Sequence, residues 1–402
     1  MVPNEWIKTT LGNLTKGSAF GPRFSSDLYL ENGSVGVIRT TDLDAEGNIN
    51  YSTIPYANVP ESFDAHHLEE GDLLITRSGT CGIPCIFQKQ AKPIVAGAFL
   101  IRFILNEKVN AAFLHALLKS KDVQVSIQNL ASGGVQKNLT GTNLKKLELC
   151  IPPIPEQKKI AQILSTWDQA ISATEKLLAK SQQQKKALMQ QLLTGKKRLL
   201  DENGLKFNIP WEKYRLGTLL KEGKQRNKDN SLSRVLSVTN HSGFVLPENQ
   251  FSKRIASDEV SNYKVVIKGQ FGYNPSRINV GSFARLDQFD NGLLSPMYVV
   301  FSITSEKLDS DFFLYWMKSN EAKQRINNST QGSVRDSVGF DAISSFALKL
   351  PKIQEQRKIA KVLSLADQEI ETLQKKLDYL KQEKKALMQQ LLTGKKRVKV
   401  AA

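Results

Sequence analysis

Cysteine is scarce in this chain, with three among 402 residues: Cys81, Cys85 and Cys150. So small and odd a number excludes a disulfide framework. Histidine is nearly as scarce at four residues. His66 and His67 precede the Cys81/Cys85 pair, but no second pair or His-x-His completes a zinc set, so no metal site is expected. Long apolar runs are also missing. The longest, IVAGAFLI at 94–101, is too short to span a bilayer, and MVPNEWIKTT has no apolar signal core. The expectation is a cytoplasmic protein with no membrane contact. No G-x-x-x-x-G-K-[ST] phosphate loop appears, which disfavours an autonomous NTPase. GYNPSR at 272–277 is similar to the Asn-Pro-Pro-aromatic motif of amino-methyltransferases, yet lacks the second proline and the aromatic, and no glycine-rich cofactor turn precedes it. It reads as a loop. With so few histidines no Ser-His-Asp arrangement can be argued either. These absences together describe a chain that is not a catalyst and carries no cofactor of its own.

What the chain does have is positive charge, a net +17, beside a hydrophobic fraction of 40% that suffices for real cores. Such a charge points to a polyanionic partner, most simply nucleic acid. Its distribution is uneven. Residues 1–150 balance 14 basic against 14 acidic side chains, and 199–349 carry a net +4. Segments 151–198 and 350–397 each carry +6. Those cations form either a solvated helix face or a surface facing DNA phosphate or an acidic partner.

The two basic segments are copies of each other. KKALMQQLLTGKKR runs from Lys185 to Arg198 and returns unchanged from Lys384 to Arg397. With that offset of 199 held, 151–198 and 350–397 align without a gap, with 29 of 48 positions identical. Upstream the match persists faintly: SGGVQKNLT (132–140) lies against QGSVRDSVG (331–339), and WIKTTLG (6–12) opens its half as WEKYRLG (211–217) does. The chain is a tandem duplication of a variable part followed by a well-matched part. This predicts domains at 1–150 and 199–349, spacer helices at 151–198 and 350–397, and a tail at 398–402.

Both matched segments begin after proline punctuation, with Glu156 and Glu355 suited to a helix N-terminus. Apolar residues then recur every three or four positions. The first stripe is Ile160, Leu164, Trp167, Ile171, Leu188 and Leu192; the second is Ile359, Leu363, Ile370, Leu373, Leu377, Leu387 and Leu391. Gly195 and Gly394, each followed by Lys-Lys-Arg, are stop signals. A helix from about 156 to 193 would be roughly 57 Å long. The natural partner for its stripe is the other copy, paired antiparallel, since each helix must carry the chain to or from a variable domain. The fold class expected is α+β: two mixed α/β domains joined by two long antiparallel coiled-coil helices in a pseudo-two-fold arrangement.

In the variable parts short apolar runs are broken by Gly, Asn, Asp and Pro. SVGVIRTTDL (34–43), GDLLITRSG (71–79), GAFLIRFIL (97–105), RVLSVTN (234–240), YKVVIKGQFGYN (263–274) and SPMYVVFSI (295–303) read as strands; AAFLHALLKS (111–120) and DFFLYWMKSN (311–320) read as helices. The loops supply side chains able to meet base edges and phosphates. In the first half these are Arg39, Thr40 and Thr41, then Thr76, Arg77 and Ser78, then Gln136, Lys137 and Asn138. In the second they are Ser237, Thr239 and Asn240, then Asn274, Ser276 and Arg277, then Arg335.

The paired segments IPPIPEQKKIAQIL and LPKIQEQRKIAKVL, the repeated KKALMQQLLTGKKR and the W-x(4)-LG openings resemble the specificity subunits of type I restriction–modification systems. The resemblance covers essentially the whole chain. It implies two target-recognition domains, each reading one half of a split, asymmetric site on double-stranded DNA. It implies that the helices bind two modification subunits, which methylate adenine from S-adenosylmethionine, and that two restriction subunits join them. Spacer length would then set the number of unread base pairs. An alternative from another class is a coiled-coil adaptor tethering two protein-binding modules.

Overall fold

The computed structural model describes residues 3–23, 25–131, 138–247, 259–330 and 337–399. The chain divides into two units, residues 1–175 with 375–402, and residues 176–374.

The first unit opens with β1 (Ile7–Thr10) and β2 (Thr15–Phe20), followed by β3 (Val35–Ile38), β4 (Tyr56–Ala57), β5 (Leu73–Thr76), β6 (Pro84–Ile86), β7 (Ile94–Ala96) and β8 (Leu100–Leu105). Three short helices follow, α1 (Ala111–Leu118), α2 (Lys121–Leu130) and α3 (Gly141–Lys145), then β9 (Glu148–Ile151) and the long α4 (Ile154–Leu192). Strands β2-β8-β5-β6 form an antiparallel sheet, β4-β3-β7 a second, and β1 pairs with β9. The runs read as strands in the sequence are those strands. Their central residues, such as Leu73, Leu74 and Ile75, are fully buried because both faces are covered.

The second unit repeats this plan. It has β10 (Glu212–Arg215), β11 (Leu220–Gly223), β12 (Ser237–Thr239), β13 (Gly243–Val245), β14 (Lys264–Ile267), β15 (Phe271–Tyr273), β16 (Phe283–Arg285), β17 (Asn291–Leu294) and β18 (Val299–Ile303). Then come α5 (Ser310–Met317), α6 (Asn320–Thr330), α7 (Phe340–Ser345), β19 (Ala347–Leu350) and α8 (Ile353–Leu391). The order β11-β18-β15-β16 matches that of the first sheet, and β10 pairs with β19 as β1 does with β9.

Both long helices have 39 residues, about 58 Å at 1.5 Å per residue. In the first unit Asp168 and Glu175 of α4 pair with Lys384 and Lys381 of α8. In the second, Lys185 and Ser181 of α4 meet Asp367 and Glu369. Rising numbers meet falling ones in each unit, so the helices run antiparallel there, as the repeat predicted.

The apolar stripe does more than zip helix to helix. Ile160, Leu164 and Leu391 are buried in the first unit's core with Leu11, Phe113 and Leu149. Ile359, Leu363 and Leu192 are buried in the second's with Phe312, Trp316 and Leu348. Leu387 and Leu188 pack against those same cores, while Trp167, Ile171, Ile370 and Leu373 are half-buried and Leu377 is buried. The six most covered stripe positions are thus domain core, a correction to their reading as helix-interface residues. A three-four spacing reports only that one helix face is covered, by a helix or by a sheet alike.

The identical peptide now has a physical meaning, because each copy closes one unit. Leu192 and Leu193 enter the second core, after which Gly195 takes φ +71 against the Trp211 ring. Leu391 and Leu392 enter the first, and Gly394 takes φ +68 against Pro3 and Trp6. Left-handed backbone at that point favours glycine. Arg198 then clamps Glu355 with two hydrogen bonds of 2.7 Å, and Arg397 clamps Glu156 likewise. The neighbouring glutamines act as staples. Gln157 accepts from the Asn110 N–H and donates to the Lys108 and Pro152 carbonyls. Gln356 accepts from the Asp309 N–H and donates to the Lys307 and Pro351 carbonyls. Asn110 and Asp309 are themselves the caps of α1 and α5.

Candidate DNA interface

In the second unit the predicted loops converge. Strand β12 is tied to the β15–β16 turn by Ser282, buried, whose hydroxyl donates to the Val238 carbonyl at 2.7 Å and whose own carbonyl accepts from the Asn274 N–H. The Asn274 side chain folds its loop by accepting from the Ser276 N–H at 3.0 Å. Thr239 closes the β12–β13 hairpin, accepting from the Ser242 N–H and donating to the Gly243 carbonyl. The outcome is one open cleft of about 450 Å³ in which Ser237, Thr239, Asn240, Asn274 and Arg277 all take part, with Ser276 exposed beside it. Arg277 and Asn240 are exposed, and neither side chain has a hydrogen-bond partner among the described residues. The cleft also has an apolar rim that the sequence reading missed: Val280 is 59% exposed and Met297 63%. Val280 sits among turn residues, and Met297 heads the run 295–303 that reads as a strand, so neither signalled an exposed rim.

The first unit places its candidates differently. Arg39 follows β3 and spends its guanidinium on the protein itself. Nε and one amino group donate to the two Asp42 carboxylate oxygens at 3.0 and 2.9 Å, and that amino group also reaches the Thr53 carbonyl. Burial alone would raise the Asp42 pKa, but these bonds outweigh it and hold the carboxyl below its usual range. Thr40 is half-buried and Thr41 exposed on the short turn between them. Thr76 is turned inward and leaves the candidate set: it is 2% exposed, donates to the Thr80 carbonyl at 2.6 Å and accepts from the Ile83 N–H. It ends β5, whose residues are buried on both faces of the sheet. Arg77 and Ser78 are half-buried and Asn138 is exposed. Gln136, Lys137 and Arg335 lie outside the described residues.

Arg77 stands apart in its setting. Its guanidinium carbon lies 4.3 Å from the centre of the Phe20 ring, and Nε donates to Asn138 Oδ1 at 3.3 Å. The repeated loop downstream touches both sites: Leu139 donates its N–H to the Arg77 carbonyl, and Val338 donates its N–H to the Pro275 carbonyl. Phe20 and Phe99 were absent from the sequence candidates, yet they are 44% and 55% exposed at this edge.

A chain with two equivalent α+β units, each bearing polar loops and each closed by a pair of antiparallel helix segments, defines a class of loop-displaying proteins. Residues 3–182 and 261–382 match the family described as the type I restriction modification DNA specificity domain, and the chain belongs to that family. It is 25% identical over 354 residues to the type I restriction enzyme MjaVIII specificity subunit of Methanocaldococcus jannaschii, covering 83% of this chain and 80% of that one. Among solved structures it is similar to the type I restriction–modification S subunit of M. genitalium, with TM-score 0.59 at 18% identity over 97% of this chain and 99% of that one. It is likewise similar to the HsdS subunit of Thermoanaerobacter tengcongensis, with TM-score 0.52 at 15% identity over 98% of each chain. Among the described residues, no helix is long and apolar enough to cross a membrane.

Proposed function

We propose that this chain reads a bipartite, asymmetric site on double-stranded DNA, one half through each domain, and directs partner subunits to it. The observation carrying this reading is the single cleft that gathers Ser237, Thr239, Asn240, Asn274 and Arg277. Asparagine can pair with adenine and arginine with guanine, and serine and threonine reach bases or phosphates. In the first domain Thr41, Arg77, Ser78 and Asn138 take the corresponding role, while Arg39 shapes the turn that carries Thr41. The chain itself is non-catalytic and needs no cofactor. Two modification subunits dock on the helices and methylate adenine, two restriction subunits complete the assembly, and helix length sets the number of unread base pairs. Exposed Leu177, Leu365 and Tyr379, at 54%, 55% and 67%, offer apolar surface on those helices.

The test is co-expression with a type I modification subunit that co-purifies with this chain, followed by mapping of modified adenines across the host genome. Methylation at one bipartite motif, lost when this chain is omitted, is the expected result. A co-purifying complex that adds no new methylation would instead favour the adaptor reading.

A further inference from the structure

We propose that Arg77 reads a guanine in the half-site recognised by the first domain; this rests on the DNA-recognition reading above. The guanidinium is held on two sides and the backbone beneath it is anchored. Its face lies on the Phe20 ring at 4.3 Å, its Nε edge is bonded to Asn138, and its backbone is fixed by the Phe99 carbonyl, the Leu139 N–H and the Cys81 thiol. Its two terminal amino groups have no hydrogen-bond partner among the described residues. This is the opposite of Arg39, whose fork is consumed by Asp42 and Thr53. A planar fork already oriented, with its outer pair of donors free, matches the O6 and N7 acceptors that guanine alone presents in the major groove. Fixing it beforehand removes the rotamer entropy that a free arginine loses on binding. The exposed Phe20 and Phe99 rings favour a base edge over a phosphate. Phenyl groups suit apolar base surface and the thymine methyl, whereas the phosphate backbone is strongly hydrated.

The experiment is selection from a randomised double-stranded DNA pool by the full-length chain with the subunits that co-purify with it. The wild type is expected to enrich two half-motifs. Arg77→Ala should lose preference at a single G·C pair in one of them, by roughly tenfold to a hundredfold, and leave the other half-motif intact. The retained half also reports that the variant is folded. Arg77→Lys keeps the charge without the fork and should lose the same pair while the salt dependence of binding stays the same. If Arg77→Ala weakens binding evenly across sequences, Arg77 is a phosphate contact and the proposal fails. It fails too if the G·C preference survives in both variants. A wild-type chain that enriches no motif overturns the DNA-recognition reading itself, a separate failure.

Discussion

Arg39 and Arg77 of the first domain are both held by neighbouring side chains, whereas Arg277 of the second stands exposed beside an open cleft. Around these loops the framework is nearly the same in both domains: the same strand order, the same glutamine staple, the same Arg–Glu clamp. The interiors differ again. The second core is built on clustered rings, with Phe271, Phe283 and Phe301 stacked and Phe313 edge-on to all three, every centroid within 6.3 Å of the others, while the first is largely aliphatic around Leu11, Leu73 and Leu114. Identity between the copies is concentrated where the chain must dock on itself. Loops and cores have diverged together, each domain being repacked to support its own surface.

The largest effect that could break this comparison lies in the cores. Phe313→Ala and its counterpart Leu114→Ala both empty fully buried positions. The expected losses are about 4 and about 3 kcal/mol, read by hydrogen exchange resolved to each domain. An equal or reversed order would show that the ring cluster adds nothing beyond buried volume. Next come the clamps. Arg198→Ala strands a carboxylate that is 1% exposed and should cost about 3 kcal/mol in the second domain. Arg397→Ala should cost the first domain less, because that arginine is already 36% exposed. A third contrast depends on pH. Burial, helped by Lys119, pushes the His115 imidazole down to about 4. The unfolded chain takes up its proton near pH 6.5, so the first domain loses stability as pH falls from about 6.5 to 4, on the order of 2 kcal/mol. The corresponding residue of α5 is Leu314, and His115→Leu should flatten the first domain's profile to resemble the second's. The smallest effect concerns binding alone. Arg277→Ala should weaken DNA binding about tenfold with little change in melting temperature, whereas Arg39→Ala should lower the melting temperature by loosening the Asp42 turn.

Much of this frame was legible before any coordinates. The helix starts, the glycine stops and the antiparallel pairing follow from spacing and duplication, and spacing survives whatever the helix packs against. That the best-covered stripe residues belong to domain cores was not legible, for the same reason. Gln157 and Gln356 gave no sign of their role either, because a glutamine announces nothing until the carbonyls around it are in place. In the loops, side chains suited to base edges and phosphates picked out residues that the second cleft gathers. It could not tell Arg39 from Arg77, since which arginine is spent on its own fold depends on Asp42 and Phe20. Thr76 was misplaced because nothing within the strand shows that both of its faces are covered by distant segments.

The clamp at Glu156 has a bearing on time as well as on shape. Proteins are made from the N-terminus onward, and Arg397 fastens Glu156, Asn4 and Glu5 together. The first domain therefore waits until the whole of the second has been translated before Leu391 and Leu392 can complete its core. The second domain, continuous from residue 176 to 374, has its own clamp partner Arg198 in hand beforehand. Of the two domains, the one whose chain starts earlier is completed later.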